Sequence, residues 1–197
     1  MNKKIFGIGL SKTGTASLAS ALNIDAVHWD YTQDTIEYID SSLYICPEKF
    51  KSHDAFTDTP IARIYKKLDK LFPHSKFIYT YRDQDDWINS CKKFFYLNLT
   101  KNQLKNRYER TSKRDSLMID LYNSIEFNRE KFINAYKNHE KEIFKHFKNR
   151  KNDLLSINIC SSSSKGNWQK ICKFLGKKIP QEDFPKKNVK NYSNLNI

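Results

Sequence analysis

The chain has 197 residues, 39% of them hydrophobic and 14% aromatic, enough for one domain with a core built largely from Phe and Tyr. With 35 Lys+Arg against 22 Asp+Glu its formal charge is +13, which favours polyanions, phosphorylated ligands or acidic membrane surfaces without choosing among them. No stretch approaches the roughly 18 apolar residues of a membrane span, the N-terminal apolar run is too short for a signal-peptide core, and four Cys without a CxxC pair argue against zinc, so a cytoplasmic protein with reduced thiols is expected.

Residues 4–10, KIFGIGL, read as a short buried strand, and 15–23, TASLASALN, as a helix. The segment 52–60, SHDAFTDTP, holds a short strand that Pro60 ends. Apolar residues at 61, 64, 65, 68, 71 and 72 have helical spacing, and Pro73 stops that helix. KFIYTY, 76–81, is a strand rich in β-branched and aromatic residues. The helix that follows, DQDDWINSCKKFFYLNL, carries acidic residues in its first turn, where the dipole favours them.

The polar stretch 98–125 reads as a helical insertion, a place for selectivity because loops on a rigid scaffold carry it. Residues 126–148 form a long amphipathic helix, 152–159 a third strand, SSSSKGNW a loop, and 168–176 a helix closed by Gly176. One domain over 1–185 is expected, with a tail over 186–197 that wraps the surface or frays. Three or four strands alternating with helices imply an α/β fold: a mostly parallel sheet flanked by helices on both faces.

The stretch Gly9-Leu10-Ser11-Lys12-Thr13-Gly14-Thr15-Ala16-Ser17 nearly matches the nucleotide-binding pattern G-x-x-x-x-G-K-[ST]. Counting from Gly9, the lysine position holds Thr15 and the Mg²⁺-binding hydroxyl position holds Ala16. An ATP- or GTP-using enzyme would lack both its phosphate lysine and its metal anchor. The remaining features still make an anion cradle: a strand delivers a tight loop to a helix N-terminus, and Thr13, Thr15 and Ser17 add hydroxyls. Lys12, on the upstream lip, is placed to neutralise charge on a leaving group. This suits sulfuryl transfer from a phosphosulfate, whose transferring group carries less charge and needs a metal less. The plain alternative is a Ser/Thr helix cap beside an exposed lysine.

GLSKTGTASL resembles the 5′-phosphosulfate loop of sulfotransferases that use 3′-phosphoadenosine 5′-phosphosulfate (PAPS). Lys12, Thr13, Gly14, Thr15 and Ser17 match, whereas Ser11 stands where the family usually has Pro, and Ala16 where it often has Thr. The resemblance implies a P-loop NTPase-like sulfotransferase fold, PAPS as donor, 3′,5′-adenosine bisphosphate (PAP) as product, and no metal. It continues in FPHSKFIYTYRDQDDWINS, which is similar to the family's 3′-phosphate motif. There Arg82 ends a strand and Ser90 lies about two helical turns on, with a surface ion-pair cluster of Arg82 and Asp83, Asp85 or Asp86 as the plain alternative. In an open α/β sheet Arg82 and Lys12 would meet at the carboxyl edge of the strands.

In FTDTPIARIYKKL, Asp58 occupies the place, two residues before Pro60, where the family commonly carries its general base. The alternative is an N-cap of the next helix, and His53 and His28 are rival bases. SSSSKGNWQKICKFLGKKIP resembles the C-terminal stretch, where Lys165 and Gly166 would close over the nucleotide while Trp168 packs its helix on the sheet. The expected function is sulfuryl transfer from PAPS to a hydroxyl or amine of a small-molecule, saccharide or lipid acceptor, with peripheral contact to an anionic membrane compatible with the charge. Alternatives are a P-loop-like nucleotide kinase or NTPase, and a non-catalytic basic protein binding nucleotide or nucleic acid; no nucleic-acid-binding motif favours the last.

Overall fold

Short runs of Phe, Ile and Val supply strands that are buried on both faces, and each is followed by a segment whose apolar residues recur at helical spacing. A computed structural model of the chain describes residues 3–22, 26–28, 35–40, 42–100, 112–161 and 163–187, with the backbone alone at 26–28, 96–100 and 112. The strands are β1 (Ile5–Gly7), β2 (Ala26–His28), β3 (Ile36–Ile39), β4 (Ser42–Ile45), β5 (Ala55–Thr57), β6 (Lys76–Thr80) and β7 (Leu154–Ile157). The helices are α1 (Thr15–Leu22), α2 (Ile61–Leu71), α3 (Gln84–Thr100), α4 (Ser112–Tyr122), α5 (Arg129–His146) and α6 (Ser164–Leu175).

Five strands form one sheet in the order β2-β5-β1-β6-β7, and every pairing is parallel. The remaining two, β3 and β4, make a separate antiparallel hairpin. With β1 at the centre, the chain builds β2 and β5 on one side and then crosses to β6 and β7 on the other. Such a switch in direction opens a crevice at the carboxyl ends of the strands.

The two-residue alternation of strand side chains sorts the core by face. Phe6, Phe56, Phe77 and Tyr79 meet α2, Leu117 of α4, and Ile143 and Phe147. Phe6 is fully buried, with its ring centroid 5.4 Å from that of Phe77 and 5.8 Å from that of Phe72. On the other face Ile78 and Ile157 pack against Leu18 of α1 and Trp168 and Ile171 of α6. A third cluster joins α3, α4 and α5 and takes in Leu10 from the chain just past β1.

The structure departs from the sequence expectations in several places. Strand β2 and the β3–β4 hairpin were not expected; IEYI and SLYI alternate exposed with more buried residues and carry no strong apolar run. Helix α6 starts at Ser164 rather than Trp168, because the Ser163 side chain caps it by accepting from Gly166 N at 3.1 Å. Lys165 and Gly166 therefore lie in the first turn of a helix and not in a loop. Helix α5 starts at Arg129 behind an Asn128 cap. Within 98–125, Ser112–Tyr122 is helical, and 101–111 lie outside the described residues. The first part of the tail wraps the surface: Glu182 O accepts from Trp168 Nε1, Phe184 N donates to Ser164 Oγ, and Lys187 N donates to Ser17 Oγ. Residues 188–197 lie outside the described residues.

Candidate active site

The loop between β1 and α1 is pressed against the end of β6. Ile8 N donates to Ile78 O, and a Cβ added to Gly9 would sit 2.4 Å from the Thr80 carbonyl oxygen, so only glycine fits there. Thr13, fully buried, donates its hydroxyl proton to Leu10 O at 2.7 Å and accepts from Thr80 Oγ1 at 2.7 Å. Two residues in the loop adopt left-handed backbone, Lys12 (φ 75) and Gly14 (φ 98). For Lys12 that conformation carries a steric penalty on the order of 1 kcal/mol, the kind of strain a fold maintains where a side chain must be aimed.

Asp58, at the end of β5 and 5% exposed, joins this loop from the other side. Its Oδ1 accepts from Ser11 Oγ at 2.5 Å and from Thr59 N at 2.8 Å, and its Oδ2 accepts from Thr15 Oγ1 at 2.9 Å. The carboxylate is thus turned to the loop and not to α2, whose N-cap is Pro60 with no side-chain capping bond. The hydroxyls of Ser11, Thr13 and Thr15 are spent on building the loop. What the loop presents outward is the first-turn amides of α1, which have no carbonyl partner within the helix, together with Lys12. Ala16 is half-buried in that turn, and Ser17 is buried under the tail.

Arg82 follows β6 by two residues, on the strand next to β1. Its Nε is buried without a hydrogen-bond partner, 3.8 Å from a carboxylate oxygen of Asp86. Asp83 instead caps α3, accepting from Asp85 N and Asp86 N. Ser90 is half-buried one helical turn beyond Asp86 on the same stripe of α3.

Helix α3 closes the space between the two turns. The Lys12 ammonium lies 4.3 Å from the centroid of the Phe94 ring. Burial pushes the Cys91 thiol up, while Lys12 and Arg82 both pull it the other way, so one sulfur feels both cations. On the far side, a Cβ on Gly14 would sit 3.5 Å from Cys160 Sγ, and Arg82 lies within electrostatic reach of that same thiol, which burial also raises. Lys12 and Gly14 follow β1 and Arg82 follows the adjacent parallel strand β6, so all three lie at the carboxyl edge of the sheet. The first turn of α6 is tied to the rim of this edge, since Asn167 Nδ2 donates to Ile159 O, beside Gly14. Lys165 is exposed in that turn.

The two rival bases separate cleanly. His53 precedes β5, beside Lys4, whose ammonium donates to the His53 carbonyl at 2.6 Å; that is the amino edge of the sheet, opposite Asp58. His28 ends β2 in register with Thr57, next to Asp58, although its side chain lies outside the described residues.

A sequence model of the sulfotransferase domain matches residues 4–192. The chain belongs to the sulfotransferase family. As a sulfotransferase it is an enzyme, and its fold is shared with a solved structure: it is similar to the crystal structure of a sulfotransferase from Alicyclobacillus acidocaldarius at 15% identity and a TM-score of 0.53. That likeness covers 97% of this chain and 87% of the other. No curated protein matches the chain. Among the described residues, no group of three or more His, Cys, Asp or Glu is placed to hold a metal ion, and no helix is long and apolar enough to cross a membrane.

Two residues that hold the turns of this sulfotransferase's site were not singled out from sequence. Trp87 Nε1 donates to Ser11 O at 2.9 Å, and the Tyr136 hydroxyl bonds the backbone of Arg82. Both side chains fall at core spacing on their helices, so nothing in the pattern set them apart from packing residues.

Proposed function

We propose that this sulfotransferase moves a sulfuryl group from PAPS to a hydroxyl or amine of a small acceptor. The observation that carries the reading is the placement of Lys12 and Arg82, from two separate turns, beyond the carboxyl ends of the adjacent parallel strands β1 and β6. The residues fit the donor. A strained loop of amides and one lysine suits a 5′-phosphosulfate, and a buried guanidinium nitrogen that has an ion-pair neighbour in Asp86 but no hydrogen bond suits a second phosphate. When bound, PAPS supplies a sulfur whose bond to the 5′-phosphate oxygen breaks as the acceptor oxygen or nitrogen bonds to it.

The chain's own groups provide positioning and charge. Lys12 and the first-turn amides of α1 stabilise negative charge on the departing phosphate oxygen. Arg82, with Ser90 on the adjacent helical stripe and Lys165 from the rim, holds the 3′-phosphate that separates PAPS from ATP. Gly14, Ala16 and Ser17 contribute backbone amides to the same cradle, whereas the Gly166 N–H is taken by the Ser163 cap and leaves that residue as spacing beside Lys165. Asp58 accepts the acceptor's proton while holding the Ser11 and Thr15 hydroxyls, and His28 is the rival for that step. The segment 98–125 is the proposed determinant of acceptor choice.

Calorimetric titration with PAP, AMP and ATP tests the reading. The expected result is tight PAP binding, weak AMP binding, and loss of the difference in Arg82→Ala. Equal affinity for PAP and AMP in the parent protein, or Mg²⁺-dependent turnover of ATP, would overturn it.

A further inference from the structure

The Lys12 loop and the Arg82 turn belong to different segments, yet a nucleotide carrying two phosphates needs a set distance between them. Strand pairing of β1 with β6 fixes the roots of both turns but not their tips. Two fully or nearly fully buried side chains span the gap. Trp87, 0% exposed on α3, donates its indole N–H to the Ser11 carbonyl at 2.9 Å, beside Lys12. Tyr136, 6% exposed on α5, donates its hydroxyl proton to Arg82 O at 2.6 Å and accepts from Arg82 N at 3.0 Å. The two rings pack against each other at a tilt of 37°, with centroids 4.5 Å apart. A continuous path therefore runs from the loop through indole and phenol to both backbone polar groups of Arg82.

We infer that Tyr136 and Trp87 are positioning residues that set the separation of the two phosphate-binding turns, with Tyr136 acting on the 3′-phosphate through Arg82. This rests on the PAPS reading given above. A hydroxyl that binds both the N–H and the C=O of one residue fixes that residue's orientation, and with it the direction in which the guanidinium leaves the backbone. Packing needs only the Tyr136 ring, which Phe would supply. The Tyr136 hydroxyl is then a device for aim rather than for core volume, and its effect belongs to a ligand with a 3′-phosphate and not to one without.

The test is titration of the full chain with PAP and with AMP, in the parent, Tyr136→Phe, Arg82→Ala and the double variant. The expected result for Tyr136→Phe is a PAP Kd raised about tenfold, the scale of one lost hydrogen bond's net worth, with the AMP Kd changed less than about twofold. In the double variant PAP binds as in Arg82→Ala alone, within about twofold, because the inferred effect of the hydroxyl on PAP passes through the Arg82 side chain, while its other hydrogen bond, to Tyr79, is common to PAP and AMP. A PAP:AMP ratio unchanged by Tyr136→Phe, while Arg82→Ala abolishes it, overturns this inference and leaves the donor reading standing. A parent with no preference for PAP overturns both. Should Tyr136→Phe fail to fold, Trp87→Phe reads the other end of the path: it removes the donor to Ser11 O, so PAP and AMP affinities are expected to fall together, by about fivefold to tenfold. Unchanged affinity for both ligands in Trp87→Phe counts against the inference.

Discussion

Asp58→Asn separates the two tasks assigned to that carboxylate. In the parent, Oδ1 faces Ser11 Oγ and Thr59 N while Oδ2 faces Thr15 Oγ1, and the backbone is left-handed at φ 69, which Asn tolerates as well as Asp. Asn keeps the Oδ1 contacts and puts an amide nitrogen opposite Thr15, whose hydroxyl then turns from donor to acceptor. Shape and bond count survive, but the bonds from Ser11 and Thr15 lose their charge assistance, worth about 1 kcal/mol each. A loss of about 2 kcal/mol in a chain of this size lowers the melting temperature by about 4–8 °C. PAP affinity is expected to stay within about fivefold of the parent, since the amides and Lys12 remain. Transfer, followed as PAP released from PAPS with the best of a panel of phenol, saccharide and amine acceptors, is expected to fall about 10²–10⁴-fold with the proton acceptor gone. Undiminished transfer together with the lower melting temperature would refute the base assignment, reduce Asp58 to a clamp on the loop and direct attention to His28. An unchanged melting temperature would refute the hydrogen-bond reasoning itself.

Lys12→Ala is expected to slow transfer about 10²–10³-fold while PAP affinity falls less than about tenfold, because the ammonium acts most on charge that develops in the transition state; parallel losses in single-turnover and binding measurements would contradict this. Gly9→Ala places a methyl carbon 2.1 Å from Thr80 Oγ1 and 2.4 Å from the Thr80 carbonyl oxygen, with an expected cost of about 1–3 kcal/mol by urea unfolding. Adding Thr80→Ala removes the hydroxyl but not the carbonyl, so it should not rescue stability; full rescue would show that the backbone approach is not limiting. His139 donates from Nε2 to Ile8 O at 2.7 Å, just before the loop, and burial pushes its imidazole down to about 4 from 6.5. Between those pH values the unfolded chain takes up a proton that the folded one resists, so stability is complete above about pH 6.5 and declines toward pH 4, by a few kcal/mol at most. In His139→Gln the part of that decline owed to the imidazole should vanish, which urea midpoints at pH 7.5 and pH 5 would check.

Much of the fold was legible because strand and helix periods are local. KIFGIGL and KFIYTY announce buried strands by composition, and the Pro residues at 60 and 73 bound α2 on either side. The loop announced itself through Gly9, Gly14 and a misplaced lysine, which local spacing alone distinguishes from an ATP-binding pattern. Segments that lack a local signal were read poorly: β2 and the hairpin are short, and α6 begins among serines that read equally as a flexible loop until Ser163 is seen to cap Gly166.

The sequence by itself determined which residue types were available for phosphate, and in what order, since glycine at a close approach and arginine at a strand end are choices made one position at a time. It also carried the family, to which residues 4–192 belong. Only the tertiary structure decided where those residues stand relative to one another. The parallel pairing of β1 with β5 and β6 put Lys12, Asp58 and Arg82 on one edge and left His53 on the other. It turned the Ser11 and Thr15 hydroxyls inward to Asp58, and it set Trp87 and Tyr136 between two turns more than 70 residues apart in the chain. The physical reason is that such contacts join segments through packing and hydrogen bonds across the sheet edge, and no periodicity within a segment records which distant partner its side chains will meet.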